Sequence, residues 1–221
     1  MATPKSQRIG IWVIAIVMLV GTIGSFAVMI LSNQNSTVEQ AHIKDLTQKY
    51  QNDYKAYQAK VDEQTKLLSD QYYQEFNAYS SRPAPFDKAS VKNLTTSDLK
   101  VGTGDAITDK STFAAYYIGW TPDGKVFDSS IDNGKLKAPI KAAPKGVISG
   151  WTEGANGMKV GGVRELTIPA DKAYGEAGSG DKIPANSPLK FVIMIIPTPT
   201  DIPQPQAPQE LIDYYSRNAR Q

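Results

Sequence analysis

Residues 146–175 read GVISGWTEGANGMKVGGVRELTIPADKAYG, and a little further on residues 189–196 read LKFVIMII. In the first stretch Arg164–Ile168 places apolar residues at alternate positions, the pattern of a strand with one face buried. Gly161-Gly162 before it is a turn, and the residues from Gly150 to Ala155 are expected to form a short helix that packs against the sheet. The second stretch is apolar on both faces, as a central strand must be. Working outward, Thr112–Trp120 is a further strand, Pro122-Asp123-Gly124 a turn, and Val126-Phe127 the returning strand. From Lys92 to Pro197 the chain therefore reads as an antiparallel sheet with little helix, set out by frequent glycine and proline turns.

Composition narrows the chemistry. The 221 residues hold one ordinary domain with appendages. Lysine and arginine number 24 against 22 acids, a net charge of +2 that argues for neither nucleic acid nor an acidic substrate. There is no cysteine and a single histidine, His42, so thiol nucleophiles, disulfides, histidine triads and multi-histidine metal sites are all excluded. No cofactor, metal or nucleic-acid partner is expected. Gly161-Gly162 and Gly178-Ser179-Gly180 are turns, since no lysine-serine pair or strand-to-helix context follows them.

Three segments surround this domain. Ile9 to Leu31 carries no charge and, as a helix, spans roughly 34 Å against a hydrocarbon core of about 30 Å. Lys5 and Arg8 precede it and an uncharged polar run follows, so the positive-inside rule places residues 1–8 in the cytoplasm and the domain on the outer side of a membrane. A cleaved signal peptide is the competing reading, with Ser25-Phe26-Ala27 as its small residues; the apolar run is longer than the usual ~7–15-residue core of such signals. Residues 36–79 then read as a helical stalk. Ile43, Leu46, Tyr50, Tyr54, Tyr57, Val61, Thr65, Leu68, Tyr72, Phe76 and Tyr79 recur in steps of 3, 4 and 4, an eleven-residue period that stays on one face of a nearly straight helix. Such a stripe suits burial on the chain's own domain, contact with lipid headgroups, or a homodimeric coiled coil. A linker at 80–91, containing Pro83 and Pro85, breaks the helix. Beyond the domain, 198–221 form a proline-rich linker and a short amphipathic helix from Glu210 to Arg220, expected to dock on the stripe.

The strings YYIGWTPDGKVFDSS (116–130), the 146–175 stretch above and IPANSPLKFVI (183–193) together resemble the FKBP family of peptidyl-prolyl cis-trans isomerases, in its order and with nearly its spacing. The resemblance covers roughly 100 residues. It implies an α+β fold in which an antiparallel sheet curls around one short helix, and a pocket between helix and sheet that accepts a proline ring. Carried over residue by residue, it implies Trp151 at the pocket floor, with Tyr117, Phe127, Val147, Ile148 and Phe191 around it. It further implies ligand-carbonyl donors at the Ile148 backbone N–H and the Tyr174 hydroxyl, an acidic pocket residue at Asp128, and a flap at Ile183-Pro184. Ala138 or a neighbour falls where the family often has an aromatic wall residue, in a stretch, Ile131–Lys145, about one residue longer than the family's. Read without the resemblance, Trp151, Phe127 and Phe191 are ordinary core aromatics and Asp128 a turn cap beside Ser129-Ser130. The expected activity is isomerisation of X-Pro bonds in exported polypeptides by a membrane-anchored foldase; the alternative is a weakly active or inactive module that binds a proline-containing partner.

Overall fold

A computed structural model describes residues 37–218. The expected membrane-spanning segment, 9–31, lies outside the described residues; among those described, no helix is long and apolar enough to cross a membrane. By internal contacts the described residues divide into two units, one of 37–61 together with 202–218, the other of Asp62–Asp201.

The second unit holds the sheet. Its strands are β1 (Thr95–Lys100), β2 (Phe113–Trp120), β3 (Val126–Ser129), β6 (Ile140–Ala142), β7 (Val163–Ile168) and β8 (Leu189–Ile196), all antiparallel, in the order β1-β7-β8-β2-β3, with β6 also on β2. The apolar run LKFVIMII is indeed the central strand. Alternation along β2 and β8 divides the side chains between two cores. Phe113, Ala115, Phe191, Ile193 and Ile195 point to one face; Ala114, Tyr116, Ile118, Trp120, Val192, Met194 and Ile196 point to the other.

The first face is covered by the short helix α2 (Ser149–Ala155). Its approach is set by glycines one turn apart: a Cβ on Gly150 would collide with Ile168, and one on Gly154 would lie 2.8 Å from Leu166. Arg164 holds the same helix from its end. Its guanidinium donates to the carbonyls of Gly154 (2.8 Å) and Asn156 (3.1 Å), and forks onto both oxygens of Asp98 on β1 (2.6 and 3.1 Å). One side chain thus ties the edge strand to the helix terminus, whose carbonyls would otherwise lack partners.

The opposite face is covered by the end of a long helix, α1 (Thr37–Asn77), whose residues from Asp62 belong to this unit. Phe76 is completely buried, Leu68, Tyr72 and Tyr79 pack beside it, and the Phe76 and Tyr72 rings lie 6.1 and 6.2 Å from that of Tyr116. Ser69, buried on the same face, accepts from the Leu136 N–H at 2.9 Å. The eleven-residue stripe is therefore buried on its own domain along this part of the helix, and here α1 is part of the domain rather than a free stalk. Every stripe residue from Ile43 to Tyr79 is at least partly buried, which is what the 3-4-4 spacing requires of a single face. The linker behind α1 is strapped down as well: Trp120 Nε1 donates to the Ala84 carbonyl (3.2 Å), and Phe86 N–H to that of Pro122 (3.0 Å).

The 131–145 stretch opens with a small hairpin, β4 (Ile131–Asp132) and β5 (Lys135–Leu136). It turns on Asn133 and Gly134, both at positive φ (47° and 73°), the pairing that a two-residue hairpin favours.

In the first unit, α3 (Gln209–Asn218) meets the beginning of α1 through His42–Glu210 (2.8 Å) and Arg217–Glu39 (3.6 Å), with Ile43, Tyr50 and Leu211 buried. The Tyr50, Tyr54 and Tyr57 rings follow one another at 6.3 and 5.8 Å.

Candidate active site

Between α2 and the sheet lies a box of four aromatic rings. Trp151 is only 3% exposed and forms the floor. Phe191 and Tyr117 meet it edge-on at 5.3 and 5.4 Å, and Phe127 meets Phe191 edge-on at 5.5 Å. Perpendicular contacts of this kind suit the ring quadrupoles and lock each side chain against its neighbours. Gly119 makes the meeting of Phe127 and Phe191 possible, because a Cβ there would lie 2.6 Å from each ring. Val147 and Ile148, at the entry to α2, pack half-buried against the same cluster. Trp151, Tyr117, Phe127, Val147, Ile148 and Phe191 are thus brought together as the sequence reading expected.

Few polar groups face this apolar surface. Tyr117 donates its hydroxyl to Asp128 Oδ2, while Asp128 Oδ1 accepts the Ser129 N–H at 2.8 Å, so Asp128 both holds Tyr117 and caps the turn. Burial first, then the hydrogen bond and charge of Asp128, push the Tyr117 phenol well above its ordinary value of 10.0. The Tyr174 phenol is also raised, by burial and then by the same carboxylate. Both hydroxyls therefore keep their protons at neutral pH and remain donors. Tyr174 stands at the exposed rim, 39% accessible. Among the described residues, no backbone or side-chain acceptor pairs with the Ile148 N–H, at the N-cap of α2.

The flap residue Ile183 is buried in the cluster, held by a reciprocal backbone pair with Ser179 (2.9 and 3.2 Å). Ala138 is exposed in the loop after β5; the aliphatic residue that this stretch packs against the cluster is Ile140, on β6. Three further residues escaped the sequence reading. Lys137 lies 3.6 Å from Asp128. Ser130 pins the strand carrying Tyr117, accepting the Tyr117 N–H on its Oγ (2.9 Å) and donating its own N–H to the Tyr117 carbonyl (2.8 Å). Arg164, described above, fixes the helix that carries Trp151. Only the Ser-Ser pair after Asp128 offered a local signal.

The model of the family described as FKBP-type peptidyl-prolyl cis-trans isomerase matches residues 104–196. A probable FKBP-type peptidyl-prolyl cis-trans isomerase of Haemophilus influenzae is 38% identical over 118 residues, covering 51% of this chain and 48% of that protein. An FK506-binding protein of Neisseria meningitidis is 38% identical over 104 residues, 47% of this chain and 94% of that one. The FKBP-type peptidyl-prolyl cis-trans isomerase FkpA of Escherichia coli is 37% identical over 129 residues, 57% of this chain and 46% of that protein. The matched stretch thus spans about half of the Haemophilus and Escherichia proteins and nearly all of the Neisseria one. With the aromatic box, its single carboxylate and the sheet-and-helix frame in place, the chain belongs to the FKBP-type peptidyl-prolyl cis-trans isomerases, enzymes of the isomerase class.

Proposed function

We propose that the chain isomerises X-Pro bonds of polypeptide clients in the box of Tyr117, Phe127, Trp151 and Phe191. The observation that carries this reading is the box itself: four locked rings around an apolar floor, with one carboxylate and a small number of donors at the rim. Rotating an X-Pro amide breaks no covalent bond, but loss of resonance raises a barrier of about 18–20 kcal/mol. A proline ring seated on Trp151 leaves water behind, and a dry surroundings disfavours the planar, charge-separated amide relative to the twisted one. The Ile148 N–H and the protonated Tyr174 hydroxyl are the donors that hold the client's carbonyls on either side of the turning bond. Asp128 positions Tyr117 as a wall of the pocket. At 1.36 kcal/mol per decade, a ~10⁴-fold acceleration needs about 5.4 kcal/mol, within reach of ring burial plus one or two hydrogen bonds.

We further propose that the enzyme is held by residues 9–31 at the outer face of a membrane, where its clients are exported chains; the uncharged length of that run and Lys5 and Arg8 before it support this. The reading of the pocket is tested by following cis-trans relaxation of an X-Pro peptide with the full chain and its Trp151→Ala variant. Acceleration that collapses in a folded variant supports it. No acceleration by the wild type across several residues before proline would leave a proline-binding module instead. The membrane reading is tested by fractionating cells and adding protease from outside: a pelleted, externally cleaved chain fits it, and a chain found in the soluble fraction overturns it.

A further inference from the structure

Next to the aromatic box, on the other side of Phe127, runs a second groove of about 540 Å³. Its floor is apolar, made by Pro122, Val126, Phe127 and Pro184, with Val126 left 46% exposed. One wall is β3, an outer strand that pairs with β2 alone, so its far edge offers backbone groups to an added extended chain. The other wall is the flap, joined to β3 where Lys182 Nζ donates to the Phe127 carbonyl at 3.2 Å. Phe127 lines this groove and also packs edge-on against Phe191 in the box, so the two adjoin at its ring.

The charges in the groove are not balanced. Asp123 is fully engaged, accepting from the Thr121 hydroxyl (2.6 Å) and the Lys125 N–H (3.2 Å) and pairing with Lys125 Nζ (2.9 Å). That pair cancels itself. Lys88 and Lys182 then share the groove with one further carboxylate, Asp181, and Lys182 Nζ is held by a neutral carbonyl.

Resting on the isomerase reading of the box, we propose that this groove seats the client residues flanking the proline, in extended form, and selects an acidic side chain among them through Lys88 and Lys182. Because Phe127 lines the groove and belongs to the box, the acid sits among the residues next to the proline, at about 3.3 Å of extended chain per residue. The test uses the full chain and three fluorescent X-Pro peptides: one of four residues, and two lengthened by three residues on both sides of the proline, with either glutamate or lysine in the extensions. Turnover and binding, the latter by anisotropy, are read as the ratio of glutamate to lysine peptide, so that changes in the box cancel. The expected ratio is roughly three- to fivefold in low salt and near one in 1 M salt. It should fall to one or below in Lys88→Glu/Lys182→Glu and be reduced in Lys88→Glu alone, which alters only an exposed turn. A wild-type ratio of one, or one unchanged in the double variant, overturns the groove whether or not the four-residue peptide is turned over. A charge-dependent binding ratio without any turnover keeps the groove and removes the isomerase reading.

Discussion

Tyr116 and Tyr117 are neighbours on β2, yet they face opposite sides of the sheet and do different things. Tyr116 is wholly buried under α1, against Tyr72 and Phe76, and among the described residues its hydroxyl has no hydrogen-bond partner. Tyr117 stays half-open, edge-on to Trp151, and gives its hydroxyl to Asp128. The face under α1 is covered by the part of that helix from Asp62 to Asn77; the face under α2 has only seven residues of helix above it, and there the Tyr117 and Phe127 rings stay partly exposed. One sheet thus carries a core on each face, and the proposed pocket lies on the face with the shorter helix.

Substitutions on the two faces should separate these roles. Phe76→Ala, on the sealed face, is expected to cost about 3–5 kcal/mol of stability, read by denaturant unfolding, while the rate of prolyl isomerisation stays within about twofold wherever the variant is folded. Arg164→Met removes a bidentate pair and two helix-end bonds at once, and should cost roughly 2–4 kcal/mol and loosen α2, seen as faster hydrogen exchange from Ser149 to Ala155. Trp151→Leu, on the open face, should lower kcat/KM by roughly 10- to 100-fold, about 1.4–2.7 kcal/mol, with a smaller stability loss than Phe76→Ala. The smallest contrast is the sharpest. Tyr116→Phe deletes an unpaired buried hydroxyl and should be neutral or slightly stabilising, whereas Tyr117→Phe loses a charge-assisted bond and should cost about 1 kcal/mol.

The same phenols set the alkaline limit. Tyr50, Tyr72, Tyr116, Tyr117 and Tyr174 are all raised above 10.0 in the folded chain, chiefly by burial. Their contribution to stability is complete below the unfolded value near 10 and is lost as pH climbs through the folded values. Unfolding midpoints should therefore be flat from pH 7 to about 9 and fall steeply above 10. Tyr116→Phe should soften that fall.

What the sequence disclosed follows from how local each signal is. LKFVIMII had to be a central strand because seven of its eight side chains are apolar, and all seven are buried. The 3-4-4 stripe marked the buried face of α1 residue by residue, although spacing alone does not say what covers it. The aromatic box was legible through motif strings that hold Trp151, Phe127 and Asp128 at fixed separations. By contrast β1 is TTSDLK, mostly exposed at the sheet edge, and no periodicity betrays a strand held by its pairing with β7 and by Asp98–Arg164. The β4–β5 hairpin did carry a signal, Asn133-Gly134. Reading it would have narrowed the expected wall residue, since the chain that leaves the hairpin packs Ile140 on the cluster and leaves Ala138 exposed. Lys137 and Arg164 reach partners 9 and 66 residues away, distances over which a sequence pattern says nothing.

The central claim is that isomerisation belongs to the α2 face alone, and the most direct test is a matched pair: X-Pro relaxation rates for Trp151→Leu and Phe76→Leu in the full chain, at a temperature where both are folded by circular dichroism. Loss of rate in Trp151→Leu with the wild-type rate kept in Phe76→Leu is the predicted result. Equal losses in both, or a Trp151→Leu variant as fast as the wild type, would contradict it.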